Sequence, residues 1–89
     1  MKEIFFTFSK HAEEQLIKRS LNRNIIESII LNPEQMLING YDTNISIYQS
    51  IVKEDDKLFL YRVFVNTQLL PNVIVTLYRT TKIDKYYES

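Results

Sequence analysis

The sequence contains no cysteine and no tryptophan, and it has only one glycine and two prolines. Without cysteine the chain can form neither disulfide bonds nor thiolate metal sites, which fits a cytoplasmic protein. A single glycine excludes a glycine-rich phosphate loop and makes a nucleophile elbow implausible. No metal-ligand spacing is present either, so we predict no metal site and no cofactor.

Long hydrophobic runs are also missing. Met1-Lys2-Glu3 leads into a short apolar run from Ile4 to Phe8, which predicts no signal peptide. No segment approaches the about 20 apolar residues of a membrane span. The 89 residues suffice for one domain with a modest core. We therefore expect a single cytoplasmic domain over residues 1–89.

The chain has no excess of charge of either sign, because eleven basic residues balance eleven acidic ones. A dedicated nucleic-acid binder is usually basic, so this balance argues against a large phosphate-tracking surface. The basic residues are not evenly spread, however. They cluster around the first predicted helix and at the C-terminal end, which leaves room for a local basic patch: Lys10, Lys18, Arg19 and Arg23, then Arg79, Lys82 and Lys85.

Hydrophobic patterning predicts an α+β domain. Residues 3–8 predict a short strand, and Ser9 is a good N-cap for a helix over about residues 10–20. Asn22 begins a second helix that ends before Asn32-Pro33. Turn signals then separate four predicted strands, which form an antiparallel meander with the helices on one face: Gln35–Asn39, Ile45–Val52, Leu58–Val65 and Val73–Arg79.

Strand alternation assigns side chains to the two faces of this sheet. In the third predicted strand, Arg62 shares a face with Leu60 and Phe64, away from Phe59 and Tyr61. In the last strand, alternation predicts two opposed sets: Val73, Val75 and Leu77 against Ile74, Thr76 and Tyr78.

His11 is the only histidine. Imidazole is the side chain best suited to donate and accept a proton near neutral pH. The pattern predicts it in the first turn of the first helix, with Gln15 one turn on and Arg19 two turns on. Such a histidine can be an acid/base centre or a surface residue without a role, and the residues alone leave both open.

Two motifs resemble a known family. A helix that begins His11-Ala12, with a cationic or amide residue four positions after the histidine, resembles the small bacterial HAxxxR-type domains. These are catalogued as a domain of unknown function, and many come from cyanobacteria. The closing segment, residues 75–87, resembles their C-terminal signature. These domains have been grouped with the barnase–EndoU–colicin–RelE nuclease superfamily and are similar to RelE-type toxins, which cleave RNA without metal and are neutralised by a small antitoxin.

The resemblance implies a RelE-like fold and a set of site residues. His11 matches the family histidine, and Arg19 matches a second basic position. Gln15 stands where the family usually has arginine, and an amide can hydrogen-bond a phosphate but cannot neutralise it. Polar and basic positions of the terminal segment are matched by Thr76, Tyr78, Arg79 and Lys82.

Metal-free RNA cleavage through attack by a ribose 2′-OH needs a base, an acid and cations that face the developing charge. The resemblance implies His11 as general acid/base, with Arg19, Tyr78 and Arg79 as further catalytic candidates. Residues that would contact RNA are Gln15, Lys18, Arg62, Thr76, Lys82 and Tyr86. The implied partners are RNA and a small antitoxin-like protein, with no membrane.

Structural roles explain several of these residues as well. Arg62 fits an inward-facing partner, Thr76 is an ordinary strand residue, and Tyr78 fits packing at the core rim. Lys82 and Lys85 fit a solvated tail, and Glu54-Asp55-Asp56 fits a solvated turn. We therefore weigh a toxin endoribonuclease against a catalytically inert RelE-like interaction module, which zero net charge and Gln15 favour. A small domain with an unrelated ligand is the third alternative.

Overall fold

The computed structural model describes residues 6–88. It confirms the α+β class, and residues 3–5 of the first predicted strand lie outside the described residues. Along the chain the elements are β1 (Phe6–Phe8), α1 (Lys10–Lys18), α2 (Arg23–Leu31), β2 (Gln35–Ile38), β3 (Ile45–Glu54), β4 (Lys57–Asn66), β5 (Asn72–Thr80) and α3 (Ile83–Tyr86).

Both predicted helix caps are present. The Ser9 hydroxyl accepts a hydrogen bond from the Ala12 amide at 3.0 Å, and the Asn22 side chain accepts one from the Asn24 amide at 2.8 Å. These bonds satisfy amides that would otherwise lack a partner at each helix start. Helix α1 ends at Lys18, slightly earlier than predicted, and Ser20 then adopts a left-handed φ of 53°.

The five strands form one sheet in the order β1-β5-β4-β3-β2. The predicted antiparallel meander is confirmed for β2 to β5. The prediction of a four-strand sheet was nevertheless incomplete, because β1 joins β5 in parallel and makes the sheet mixed. The Ser9 amide extends this pairing by donating to the Ile74 carbonyl at 2.9 Å.

Helices α1 and α2 bury their apolar stripes on one face of the sheet, as predicted. This core consists of Ala12, Leu16, Leu21, Ile26 and Ile29 from the helical part, packed on Tyr61, Val63, Val65, Ile74 and Leu77 from the strands. Each large aliphatic side chain buried here contributes about 1.5–3 kcal/mol of transfer free energy. We call the opposite side of the sheet the open face; it carries Arg62, as alternation predicted.

The alternation predicted for the last strand was wrong at one point. The register between β4 and β5 shifts at Phe64/Val65, so that Phe64 pairs with Thr76 and Val65 with Ile74. An extra residue in β5 therefore interrupts the period of two. Ile74 and Leu77 consequently both lie in the core.

The C-terminal strap, residues 82–88, packs on the open face. The side-chain amide of Gln49 donates to the Tyr86 carbonyl at 3.2 Å, and the Glu88 amide donates to the Gln35 side-chain oxygen at 3.0 Å. Lys82 and Lys85 are exposed, as the solvated-tail interpretation predicted, but Tyr86 is half-buried. Among the helices described here, none is long and apolar enough to cross a membrane.

Candidate functional site

The predicted site residues fall in separate places, of which the first is the surface of α1. His11, Lys18 and Arg19 are exposed, and the Arg19 Nε donates to the Gln15 Oε1 at 2.6 Å. In an HAxxxR motif the arginine is the fifth residue after the histidine, and that position is Leu16 in this chain, which is buried in the core. Gln15, the residue before it, is partly exposed on the surface of α1. Within residues 6–88, no hydrogen bond joins these side chains to Arg62 or Tyr78.

The second place is the Glu54 cluster (Glu54, Tyr61, Arg79 and Phe59), at the hairpin end of the core face. The Tyr61 hydroxyl and the Arg79 Nη1 both donate to the Glu54 Oε1, at 2.6 and 2.7 Å. The Arg79 guanidinium also lies 4.4 Å from the centroid of the Phe59 ring. Arg79, a predicted catalytic residue, is thus held in an ion pair with a carboxylate.

Glu54 differs from the solvated turn residue that the sequence suggested. Asp55 and Asp56 are exposed, but Glu54 is half-buried and its carboxylate is engaged. Burial raises the pKa of the Tyr61 hydroxyl to about 12, and the Glu54 carboxylate adds to the rise. Hydrogen bonds with Tyr61 and Glu54 also raise the pKa of Arg79. The polar groups of this cluster therefore bind one another, which indicates a structural role.

The third place is the Arg62 cluster on the open face, which consists of Arg62, Gln49, Tyr78, Tyr86 and Phe64. Arg62 is only 8% exposed; its Nε donates to the Gln49 Oε1 and its Nη1 to the Tyr78 hydroxyl, both at 2.9 Å. Three aromatic rings surround the guanidinium, with centroids 4.4 Å (Tyr86), 5.5 Å (Phe64) and 5.9 Å (Tyr78) from its central carbon.

Arg62 is buried without a counter-anion in the part of the chain that the structure describes. The ion pairs there are Arg23–Glu13 and Arg79–Glu54, and neither involves Arg62. A buried charge is costly unless an opposite charge or strong hydrogen bonds compensate it. Arg62 has two hydrogen bonds to neutral groups and the aromatic rings. A guanidinium has five N–H donors, so this arrangement leaves capacity for an anion.

Gln49 fixes the orientation of Arg62, and our sequence reasoning did not single it out. It is fully buried, and its amide nitrogen donates to Gln35 Oε1 at 2.6 Å and to the Tyr86 carbonyl. Its oxygen must therefore face Arg62. A detectable signal existed, because Gln49 is a polar residue in phase with Ile45 and Ile47 on the open face of β3.

The tyrosines of the cluster are packed against one another. Tyr78 stacks on Phe64 with centroids 6.1 Å apart, and its edge meets the Tyr86 ring at 6.5 Å. The Lys85 ammonium lies 5.2 Å from the Tyr86 centroid, and its proximity is the main reason that the pKa of the Tyr86 hydroxyl is lowered. The structure thus brings together Arg62, Tyr78 and Tyr86.

Two further predicted RNA contacts flank this cluster. Thr76 pairs with Phe64 across the strands and is half-buried, so it shares the open face. Lys82 is exposed at the start of the C-terminal strap. Gln15 and Lys18 lie apart from them, on α1.

A surface cleft of about 390 Å³ lies elsewhere, between β1 and the two long helices. Arg23 forms part of its lining, pairs with Glu13, and lies 4.3 Å from the centroid of the Phe8 ring. None of the predicted site residues lines it. Across residues 6–88, no three histidine, aspartate or glutamate side chains are grouped so that they could hold a metal ion.

The comparison with known protein families finds a match. No curated protein and no solved structure matches the chain. The family described as "Domain of unknown function (DUF4258)" matches residues 8–79, which include α1, Arg62 and the meander as far as Arg79. Because this match covers well over half of the sequence, the chain belongs to that family of domains of unknown function.

Proposed function

We propose that the protein is a RelE-like, metal-independent endoribonuclease, the toxin of a toxin–antitoxin pair, and that RNA binds at the Arg62 cluster. The observation that carries this proposal is a buried arginine without a carboxylate partner among residues 6–88. The resemblance of the His11-Ala12 helix and of the terminal segment to HAxxxR-type domains supplies the reaction class.

A phosphodiester suits the cluster in two ways. The phosphate would supply the negative charge that Arg62 lacks, through the charge-assisted hydrogen bonds that guanidinium forms best. The rings of Phe64 and Tyr78 provide surfaces on which an adjacent base can stack. Since the whole chain has zero net charge, binding would depend on this local site and not on a broad basic surface.

Cleavage would begin with removal of the proton from the ribose 2′-OH, followed by in-line attack on the phosphorus. The 5′-oxygen then leaves with a proton, and the product retains a 2′,3′-cyclic phosphate. Arg62 would stabilise the phosphorane, and the Tyr78 hydroxyl, 2.9 Å from the Arg62 Nη1, is the proton-transferring group nearest to it. His11, with Arg19, is the acid/base candidate that the resemblance supplies.

A second candidate function is a catalytically inert interaction module. Strand β2 is an edge of the sheet, and its side chains Met36 and Ile38 are 59% and 74% exposed. Such an edge can accept an added strand from a protein partner. The hydrogen bond between Gln15 and Arg19, together with the buried Leu16 at the arginine position of the motif, also favours this alternative.

Inducible expression tests the two functions against each other. We expect growth arrest and RNA fragmentation with the natural sequence, and loss of both with Arg62→Met. Lys57→Met is the matched control, because it removes one exposed positive charge from the same strand. Purified protein should cleave RNA in the presence of EDTA and leave cyclic phosphate ends. Absence of arrest and of cleavage by soluble, partner-free protein would support the interaction module.

His11→Ala separates the two acid/base assignments. Fragmentation that persists in this variant would exclude His11 as the catalyst and leave proton transfer to Tyr78. Fragmentation that disappears, in a variant that still binds RNA, would assign the proton transfer to His11.

A further inference from the structure

The ring of Tyr86 covers one face of the Arg62 guanidinium. Its centroid lies 4.4 Å from the central carbon, nearer than those of Phe64 and Tyr78. Tyr86 belongs to the C-terminal strap and not to the sheet that holds the other members of the cluster. The surface on which a nucleobase would stack is therefore already occupied by part of the chain itself.

Local contacts hold the strap in place. Tyr87 donates its hydroxyl hydrogen to the Glu34 carboxylate at 3.1 Å, and the backbone of Glu88 exchanges hydrogen bonds with the Gln35 side chain. Helix α3 has four residues and none of them is buried, and Thr81 and Lys82 before it are exposed. Segments with few buried apolar contacts open at a small fraction of the global unfolding free energy.

We propose, on the basis of the function proposed above, that the strap is an internal occupant of the RNA site and that the ligand is unpaired RNA. A nucleobase replaces the Tyr86 ring on Arg62, and the strap is released. The nucleobase and the Tyr86 ring are both planar π systems, and both can stack on the same face of the guanidinium. Bases of a duplex are already stacked and paired, so they cannot make this exchange without unstacking.

Gln49 connects the Arg62 guanidinium, which would bind RNA, with the strap, which would be released. Its oxygen accepts from the Arg62 Nε, and its nitrogen donates to the Tyr86 carbonyl. Release of the strap frees one donor of Gln49 beside the bound ligand while the orientation of Arg62 is kept by the bond to Gln35. Strap closure and RNA binding therefore oppose each other, and each weakens the other by the same factor.

Hydrogen exchange of the full chain tests this directly, because most ligands slow exchange where they bind. The probe is a short single-stranded 2′-O-methyl RNA oligonucleotide, which cannot be cleaved. We expect the amides of Tyr87 and Glu88 to exchange faster when RNA is bound. Equal or slower exchange in the bound state would overturn the proposal. Duplex RNA of the same sequence should bind at least about tenfold more weakly, and equal affinity would also overturn it.

Variants of the strap test whether the closed strap weakens RNA binding. Tyr86→Ala removes the occupant and should tighten binding of the single-stranded oligonucleotide. A loss of affinity would overturn the proposal, because it would mean that Tyr86 itself contacts RNA. Tyr87→Phe keeps every ring and removes the bond to Glu34, so affinity should rise by up to about fivefold. Unchanged affinity in both variants would overturn the proposal. Tyr41→Ala, at a fully exposed tyrosine, is the control.

Failure of this inference can be told apart from failure of the proposed function. If the natural protein and Arg62→Met bind the oligonucleotide equally, or neither binds it, the RNA site itself is wrong and the inference falls with it. If binding depends on Arg62 but the strap becomes more protected, the inference alone is wrong.

Discussion

Arg62 and Arg79 occupy opposite faces of the same sheet, in neighbouring strands. Each guanidinium lies 4.4 Å from the centroid of an aromatic ring, Tyr86 for Arg62 and Phe59 for Arg79. They differ in the acceptor: Arg79 donates to a carboxylate and Arg62 to an amide. The acceptor, and not the residue type or the strand, separates a structural arginine from a candidate binding arginine.

The difference has an electrostatic consequence. The charge of Arg79 is neutralised by Glu54, so an added anion would compete with that carboxylate. The charge of Arg62 has no neutralising partner in residues 6–88, although Arg62 is the more buried of the two. An anion therefore gains more at Arg62 than at Arg79.

The largest expected effect comes from Arg62→Met, which removes the uncompensated charge and keeps a long apolar side chain. Affinity for the single-stranded oligonucleotide should fall about 30- to 150-fold, the value of a charge-assisted contact of about 2–3 kcal/mol. The slope of log affinity against log salt should decrease by about 0.7, for one phosphate contact. Stability measured by urea unfolding should fall by about 1–3 kcal/mol, because the buried Gln49 oxygen loses its donor, and not by the about 3–5 kcal/mol of a broken buried ion pair. A large loss of stability would contradict the comparison.

The Glu54 cluster should lose stability at high pH, whereas the lowered pKa of Tyr86 in the Arg62 cluster acts with the opposite sign. The pKa of Tyr61 is raised to about 12 in the folded protein, above the about 10 of an unfolded chain. The folded state therefore holds the Tyr61 proton more tightly than the unfolded chain does. The resulting contribution to the free energy of unfolding is complete below pH 10 and is lost as pH rises through 12. This contribution is roughly 3 kcal/mol. Urea unfolding between pH 9 and about 12 should show this loss of stability in the natural protein and not in Tyr61→Phe.

Glu54→Gln sharpens the comparison from the other side. It removes the charge that Arg79 needs and leaves an oxygen for the Tyr61 hydroxyl. The free energy of unfolding should fall by about 1 kcal/mol, because the pair is partly exposed and solvent screens it. Thermal and urea unfolding measure this loss, and a gain in stability would show that the pair is not structural.

His11→Ala should change stability least. His11 is exposed, and exposed side chains without special contacts contribute within about 0.5 kcal/mol. Urea unfolding checks this value. A loss of RNA cleavage in this variant would then be a chemical effect and not a folding defect.

Local sequence signals predicted much of this fold. Ser9 and Asn22 cap their helices as expected, and strand periodicity placed Arg62 on the face opposite Tyr61. Contacts between distant parts of the chain were not predictable, because no local pattern encodes them. They include the parallel pairing of β1 with β5 and the extra residue in β5 that brings Ile74 into the core.

The candidate site was only partly predictable for the same reason. Arg62, Tyr78 and Tyr86 were all candidates from the sequence, but Arg79 stood beside them with equal weight. Arg79 differs from the other candidates because it pairs with Glu54, 25 residues away along the chain. The role of Gln49 depends likewise on the register of β3 against β4, which places it opposite Arg62.

An exchange of the two acceptors tests the central claim most directly. Gln49→Glu gives Arg62 an internal carboxylate of the same shape but removes the bonds that the Gln49 nitrogen donates to Gln35 and Tyr86. Loss of those bonds alone would loosen the strap and raise affinity, so a weaker affinity reports the neutralised charge. Glu54→Gln removes the carboxylate from Arg79. Equilibrium binding of the single-stranded oligonucleotide should weaken at least about tenfold in Gln49→Glu and stay unchanged in Glu54→Gln. Equal affinities in the two variants would contradict the claim that the unneutralised charge of Arg62 makes the site.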